Sequence, residues 1–450
     1  MTTAKFTRRQ VLATTSAGAI ATMAGWPLTA FGSSFSVKDK LALTGGNPVR
    51  TADWPDWPIW DESAEKSIVD MYRSGKWYRA WGNYCQDFEK QYAELIGAKR
   101  CLATASGTTA LMIALHAAGV DAGDEVLVSP YTFIATYNAV FAAKALPVFV
   151  DTDPETFLMD PGKIEERITD RTSAILPVHI YGLPCDMEAI NSIAKNNGLK
   201  VIEDACQAWS AKYKGKNAGL WGDLGCFSFQ NSKHLPAGEG GAVVGNDDHM
   251  MDLCTSYHNC GTRFGSIEGP SNYPVRGLNF RMQHVQALIL QSQMKRFFSD
   301  AATREENARH LDGKLKDIPG IKPYKLVSGA EASAYHLYPF RYIKQEFNNI
   351  PRDKFLKAVQ AEGIPLSNGY GPQNSDGLIE EALSSKGYKR IYGVKRLKEW
   401  REENVLPGND QLCEESCTLY QSVLLGTRKD MDDIVNAITK VYENREQLLG

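Results

Sequence analysis

Between Arg100 and Gly245 short apolar runs alternate with stretches of helical periodicity. The runs Cys101–Thr104, Glu125–Val128, Leu146–Val150, Ala174–Val178, Leu199–Ile202, Cys226–Phe229 and Gly241–Val244 each have strand length and predict seven strands. Thr109–Ala118, Ile134–Ala143 and Met187–Lys195 repeat their apolar positions at helical spacing between the earlier runs. Strands joined through helices need crossover connections, so the pattern predicts an α/β fold around a mostly parallel sheet. Ligands of such sheets gather beyond the carboxyl ends of the strands. A further apolar-periodic segment starts at Met282, and a soft domain boundary is expected near Phe298–Arg304. That divides the chain into residues 35–300 and a smaller unit of residues 301–450. Gly377–Glu403, rich in Lys, Arg and Glu, reads as solvated helices.

The first 34 residues follow another pattern. Lys5, Arg8 and Arg9 precede an uncharged, Ala/Thr-rich stretch from Val11 to Ala30. This reads as a targeting signal of twin-arginine type, too weakly apolar for a stable membrane span, with a basic tail as the plainer alternative. Export to a periplasmic or other extracytoplasmic space is the expectation, with the cytoplasm as the alternative.

Composition narrows the partners. The chain has 450 residues, 43% hydrophobic and 23% charged, and a net charge of −3. Without a dominant sign there is no electrostatic footprint for nucleic acid, which leaves a small molecule as the expected partner. Nine cysteines are an odd number spread over a long chain, which argues for buried thiols rather than a disulfide framework. Cys413 and Cys417 stand one helical turn apart without a histidine to complete a metal set, so no metal is expected.

The strand ends carry the candidate chemistry. Ser106-Gly107-Thr108-Thr109 opens directly into an apolar helix. It is either a phosphate seat of free N–H groups or ordinary N-cap chemistry. The strand at Val201-Ile202 exits in Glu203-Asp204, followed by Cys206 and Gln207. Lys233 lies between an aromatic strand and the glycine-rich return Gly238-Glu239-Gly240-Gly241, where a lysine can be desolvated and become a nucleophile toward carbonyls.

In that order these motifs resemble the fold-type I pyridoxal-phosphate enzymes, specifically the DegT/DnrJ/StrS-type sugar aminotransferases. The likeness runs from about Leu41 to the C-terminus and includes Tyr131–Thr136, Pro177–Gly182, Glu203–Ala208, Ser228–Gly241 and Asn279–Met282. Leu41–Arg50 and Trp81-Gly82 resemble the branch that aminates cyclitols and makes aminohydroxybenzoate. The resemblance implies a large domain with a seven-stranded sheet, a smaller C-terminal α/β domain, and pyridoxal 5′-phosphate as cofactor. It assigns Lys233 to carrying the cofactor and acting as base, and Asp204 to pairing with the pyridine nitrogen. Phe133 would stack on the ring, Gly107, Thr108 and Ser228 would bind phosphate, and Gln207 would neighbour the 3-hydroxyl. Asn279 would reach the phosphate from an adjacent subunit, which implies a homodimer with a shared site.

The implied reaction moves an amino group from glutamate or glutamine to a keto-sugar or keto-cyclitol. A dehydratase branch replaces the lysine with histidine, and Lys233 is retained here with His234 beside it, which favours transfer. The alternatives are elimination on a nucleotide sugar, or a non-catalytic exported protein binding sugar or cofactor. His179, Tyr181 and His336 lie in similar stretches without an assigned role.

Overall fold

The computed structural model describes residues 40–375 and 377–449. The twin-arginine-like segment lies outside these residues. Among the described residues fourteen strands form three sheets. They are β1 Arg100–Thr104, β2 Glu125–Val128, β3 Leu146–Phe149, β4 Thr172–Leu176, β5 Lys200–Asp204, β6 Lys212–Tyr213, β7 Lys216–Asn217, β8 Leu224–Ser228, β9 Gly241–Gly245, β10 Ile321–Pro323, β11 Ala330–Ala332, β12 Leu337–Tyr342, β13 Ser367–Asn368 and β14 Ser416–Tyr420.

The seven expected strands all form and build one sheet in the order β1-β9-β8-β5-β4-β2-β3. Neighbours from β8 to β3 are parallel, while β9 runs against both β1 and β8. β2, β3, β8 and β9 are buried along their whole length, as a sheet covered on both faces requires. The predicted helices appear as Gly107–Ala117, Ala135–Ala142 and Met187–Asn197. The first is apolar nearly all round because it is enclosed by β8, β9 and the helices Ala135–Ala142 and Asp248–His258. A second apolar cluster, with Phe88, Tyr92, Phe227, Phe229 and Trp209, joins the sheet to helices Tyr84–Ile96 and His284–Gln293.

Beyond the main sheet, β10-β12-β14-β13 form an antiparallel sheet. The expected boundary at Phe298–Arg304 falls inside the helix Phe297–Leu315, so the chain passes it without a linker. Helices Gly377–Ser384 and Lys386–Glu403 form as expected, but the second is solvated on one face only. Its Tyr388, Tyr392 and Trp400 are buried, and they donate to carbonyls of Ala145, Asp124 and Pro147 beside β2 and β3. Its Arg396 donates at 2.6 Å to Glu125, a fully buried carboxylate. Cys413 and Cys417 do not share a helix, since Pro407–Glu415 ends first and Cys417 belongs to β14.

The first described segment docks on the C-terminal elements. Glu362 is fully buried and accepts from Ala42 N–H at 2.8 Å, Val49 N–H at 3.1 Å and Lys440 Nζ at 2.8 Å. Arg50 adds ion pairs to Asp430 at 2.5 Å and Asp433 at 3.1 Å. Removing one member of a buried pair strands the other charge. Glu362→Gln is therefore expected to cost about 3–5 kcal/mol in denaturant unfolding, and a loss below about 1 kcal/mol would refute this role for the pair.

Candidate active site

The carboxyl ends of the central strands open on a cavity of about 650 Å³. That volume lies within the range of small-molecule and cofactor sites. Lys233, Asp204, Gly107, Thr108, Phe133, Gln207 and Ser228 all line it, so seven of the eight residues singled out in the sequence converge there. Asn279 does not. It is exposed, and among the described residues its side chain accepts from the Arg281 N–H, at 3.4 Å.

At the start of helix Gly107–Ala117 the N-cap reading is met, and it leaves the next N–H groups free of the cap. Ser106 is an N-cap whose hydroxyl accepts from Thr109 N–H at 3.1 Å, and Thr109 closes a capping box. The cap leaves the N–H groups of Gly107 and Thr108 at the positive end of the helix, on the cavity wall. Glycine is needed here for space, because a Cβ at Gly107 would lie 2.6 Å from the Cβ of Ser228. The helix start thereby comes close enough to β8 for one anion to meet both.

Asp204 ends β5 and is 5% exposed. Its Oδ2 accepts from Thr136 Oγ1 at 2.8 Å and its Oδ1 from Cys206 N–H at 3.1 Å. Thr132 Oγ1 stands 2.7 Å from Thr136 Oγ1, so hydroxyls near the start of helix Ala135–Ala142 fix the carboxylate's orientation. Phe133, between them in sequence, is 55% exposed. An aromatic face left open on a cavity wall suits stacking against a planar ligand.

Lys233 sits in the loop from β8 to β9, which is held tightly. Its N–H donates to Gln230 O at 2.8 Å, and the returning chain is pinned by Phe229 N–H to Gly240 O at 2.8 Å and Asn231 N–H to Gly238 O at 2.9 Å. Trp57 Nε1 donates to Lys233 O at 3.2 Å and the Tyr420 hydroxyl to Ser232 O at 2.9 Å. The Lys233 amine is enclosed, and this burial pushes it below the usual lysine range although Cys206 and Asp204 pull the other way. Nζ lies 3.3 Å from His336 Nε2. His234 takes no part in the cavity lining; it is buried beside Trp209, with ring centroids 5.2 Å apart.

Gln207 is held at both ends of its amide. Its Oε1 accepts from Tyr181 N–H at 2.8 Å and its Nε2 donates to the Tyr370 hydroxyl at 3.1 Å. Tyr370 stacks on Tyr181, with centroids 5.6 Å apart and planes at 11°, and burial pushes its phenol up to about 12. The Tyr131 hydroxyl ties this wall together. It meets Tyr181 OH at 2.9 Å, donates to Ser416 Oγ at 2.7 Å and accepts from Tyr370 N–H at 3.2 Å. Gly369 makes the approach possible, since a Cβ there would come within 2.1 Å of both Tyr131 OH and Ser416 Oγ.

His179 lies apart from the cavity. Its Nε2 pairs at 2.8 Å with Glu203, which also accepts from the N–H groups of Gly219, Trp221 and Gly222. Burial opposes a charge on this ring while Cys185 and Glu203 favour one. The Cys185 N–H, 3.0 Å from Nδ1, decides for the neutral form by occupying the lone pair an added proton would need. His179 is thus a structural histidine. The contributions of Thr132 and Thr136 went unassigned in the sequence, because hydroxyl positions carry no spacing signal until the helix is placed, whereas the segment around Asn368-Gly369-Tyr370, expected from the sequence to line an acceptor site, brings Tyr370 into the cavity wall.

This combination of sheet, lysine loop and capped helix start on one cavity is the architecture of the aminotransferases that depend on pyridoxal phosphate. Solved 3-amino-5-hydroxybenzoic acid synthase matches it with a TM-score of 0.76 at 28% identity, covering 88% of this chain and 100% of that one. NtdA from Bacillus subtilis, solved with its cofactor PMP bound, matches with a TM-score of 0.71 at 26% identity, covering 87% of this chain and 86% of that one. The model of the DegT/DnrJ/EryC1/StrS aminotransferase family matches residues 59–389, and the chain belongs to that family. The protein is an aminotransferase. Among its relatives, the L-glutamine:2-deoxy-scyllo-inosose aminotransferase of Micromonospora echinospora is 33% identical over 424 residues, 91% of this chain and 99% of the relative.

Proposed function

We propose that this protein transfers the amino group of glutamine to the carbonyl of a keto-cyclitol of the scyllo-inosose class, using pyridoxal 5′-phosphate held at Lys233. The observation that carries the proposal is the convergence of Lys233, Asp204 and the Gly107–Thr108 helix start on one cavity. Those residues fit such a group. A lysine, a fixed carboxylate, an open aromatic face and an anion seat answer its aldehyde, ring nitrogen, ring plane and phosphate in turn. The glutamine and cyclitol assignments rest on the relatives' substrates.

When bound, the cofactor withdraws the negative charge that builds on the α-carbon of the donor amino acid. The protein's own residues do the rest. Asp204, kept in place by Thr136 and the Cys206 N–H, supplies the negative charge that keeps a facing ring nitrogen protonated. The N–H groups of Gly107 and Thr108, with Ser228, anchor the phosphate. Lys233, once the donor has displaced it, is the base that takes up and returns the proton at Nζ; its burial keeps a larger share of the amine neutral than in an ordinary lysine. His234 is absent from the cavity lining, so retention of Lys233 favours transfer over elimination.

Asn279, exposed on this chain, fits a role toward the site of a second copy, and a homodimer with shared sites is part of the proposal. Export through the twin-arginine route is proposed from Arg8 and Arg9 and the uncharged stretch that follows. Fractionation of cells carrying Arg8→Lys/Arg9→Lys tests it, and unchanged localisation of the double variant removes the claim.

The function is tested by single turnover. Protein charged with an amino group from glutamine is mixed with scyllo-inosose, 2-deoxy-scyllo-inosose or nucleotide-linked keto-sugars, and return of the cofactor's aldehyde absorbance is followed. Fast return with an inosose is expected. Return only with a nucleotide-linked sugar would overturn the substrate class.

A further inference from the structure

His336 is a titratable cavity residue that the chemistry above leaves unused. It is 6% exposed and immediately precedes β12. The left-handed backbone of Tyr335, with φ 56, turns the chain there. The Tyr335 phenol joins Tyr324 OH at 2.8 Å, while the His336 ring lines the cavity and its backbone N–H donates to Tyr181 O at 2.8 Å. The ring therefore sits on an anchored stretch of backbone. Its Nε2 lies 3.3 Å from Lys233 Nζ, and its buried Nδ1 has no partner among the described residues.

The identity of donor and acceptor follows from proton counting. A lysine amine always has hydrogens to give, and an ammonium has nothing else. Burial, then Lys233, then Arg304 all hold the His336 imidazole well below the usual histidine range, so the ring is neutral and keeps a lone pair. Opposite a charged lysine that lone pair must be on Nε2. A neutral acceptor favours the charged form of its donor and fixes the direction of one N–H.

We propose that His336 is a positioning residue, the resting acceptor that holds the Lys233 amine through Nε2 whenever that amine is not bonded to the cofactor. The proposal rests on the reading of Lys233 given above and extends it to the part of each cycle in which the lysine is free. A released lysine with a flexible four-carbon stem would otherwise sample many rotamers before proton transfer. The His336 contact limits that search and keeps the amine at the cavity wall. Asp204 and Cys206, from the exit of β5, act on the amine, while Tyr370, from the segment after β13, and Glu239, at the loop's return, line the same cavity. His234 adjoins Lys233 in the loop, and Arg304, on helix Phe297–Leu315, acts on both histidines. All of these stay in place when His336 alone is changed.

The test reads the amine itself rather than turnover. Full-length protein loaded with pyridoxamine phosphate, which leaves the lysine free, is labelled with trace acetic anhydride across pH, and Lys233 is quantified against exposed lysines by mass spectrometry. His336→Phe removes the acceptor, and the midpoint of the Lys233 curve is expected to fall by about one pH unit, roughly a tenfold larger neutral fraction at a given pH below it. His336→Gln, whose amide oxygen can accept, is expected to stay near the parent. Should His336→Phe fail to fold, His336→Asn takes its place, because its amide is too short to reach Nζ. Curves of the acceptor-free variant that overlay the parent overturn the proposal, as does an equal shift in the Gln variant, which would make His336 a packing residue. Borohydride reduction of the aldehyde-loaded protein separates the two readings. If another lysine carries the reduced cofactor, the proposed function fails; if Lys233 carries it and the curves coincide, only the His336 proposal fails.

Discussion

Lys233→Ala is expected to lower turnover by at least about 10⁴-fold, the upper end of what one positioned base contributes, because in the proposed function the same side chain also carries the cofactor. Nothing nearby can substitute. His336 Nε2 lies 3.3 Å from Nζ, but it belongs to a buried neutral ring at the end of an anchored turn. The variant should keep its fold, since the loop is held by backbone bonds of Phe229, Asn231 and Lys233 and by contacts from Trp57 and Tyr420 to backbone carbonyls. Turnover and borohydride trapping measured together check this. Activity within tenfold of the parent, or cofactor still fixed to the chain by reduction, would end the assignment.

Asp204→Asn is expected to lower kcat by about 10²–10³-fold, as removal of one preorganised electrostatic group does elsewhere, with little change in melting temperature. The asparagine can be accommodated. Its Oδ1 would accept from Cys206 N–H, and its Nδ2 would donate to Thr136 Oγ1, which can turn its own proton to Thr132 Oγ1 at 2.7 Å. The hydrogen bonds survive and the charge does not. The substitution thus separates the carboxylate's electrostatic work from its place in the packing. A variant turning over within a few-fold of the parent would show that the charge is dispensable.

The sequence made the sheet and most of the site legible for one physical reason. Parallel strands covered on both faces read as unbroken apolar runs, and the residues just past them are where ligands are met. Asp204, Gly107 and Ser228 stand at or just past such ends. Lys233 was legible from the glycine-rich return behind it. At Ser106 the two readings do not compete, because capping uses the hydroxyl while an anion would use the next N–H groups. What stayed hidden depended on long-range contacts. The one-faced packing of Lys386–Glu403 needed β2 and β3 in place, since a charge-rich helix reads as solvated until its aromatic face finds a sheet edge. The helical-turn spacing read for Cys413 and Cys417 fails because a helix ending at Glu415 leaves no local signal between them. Asn279 matches its motif but lies off the cavity, a displacement that one chain by itself does not explain.

The Tyr131 hydroxyl joins residues separated by 285 positions of sequence when it reaches Ser416, and it meets Tyr370 on the way. A ribosome must therefore deliver the chain as far as Ser416 before the wall of tyrosines beside Gln207 is tied together.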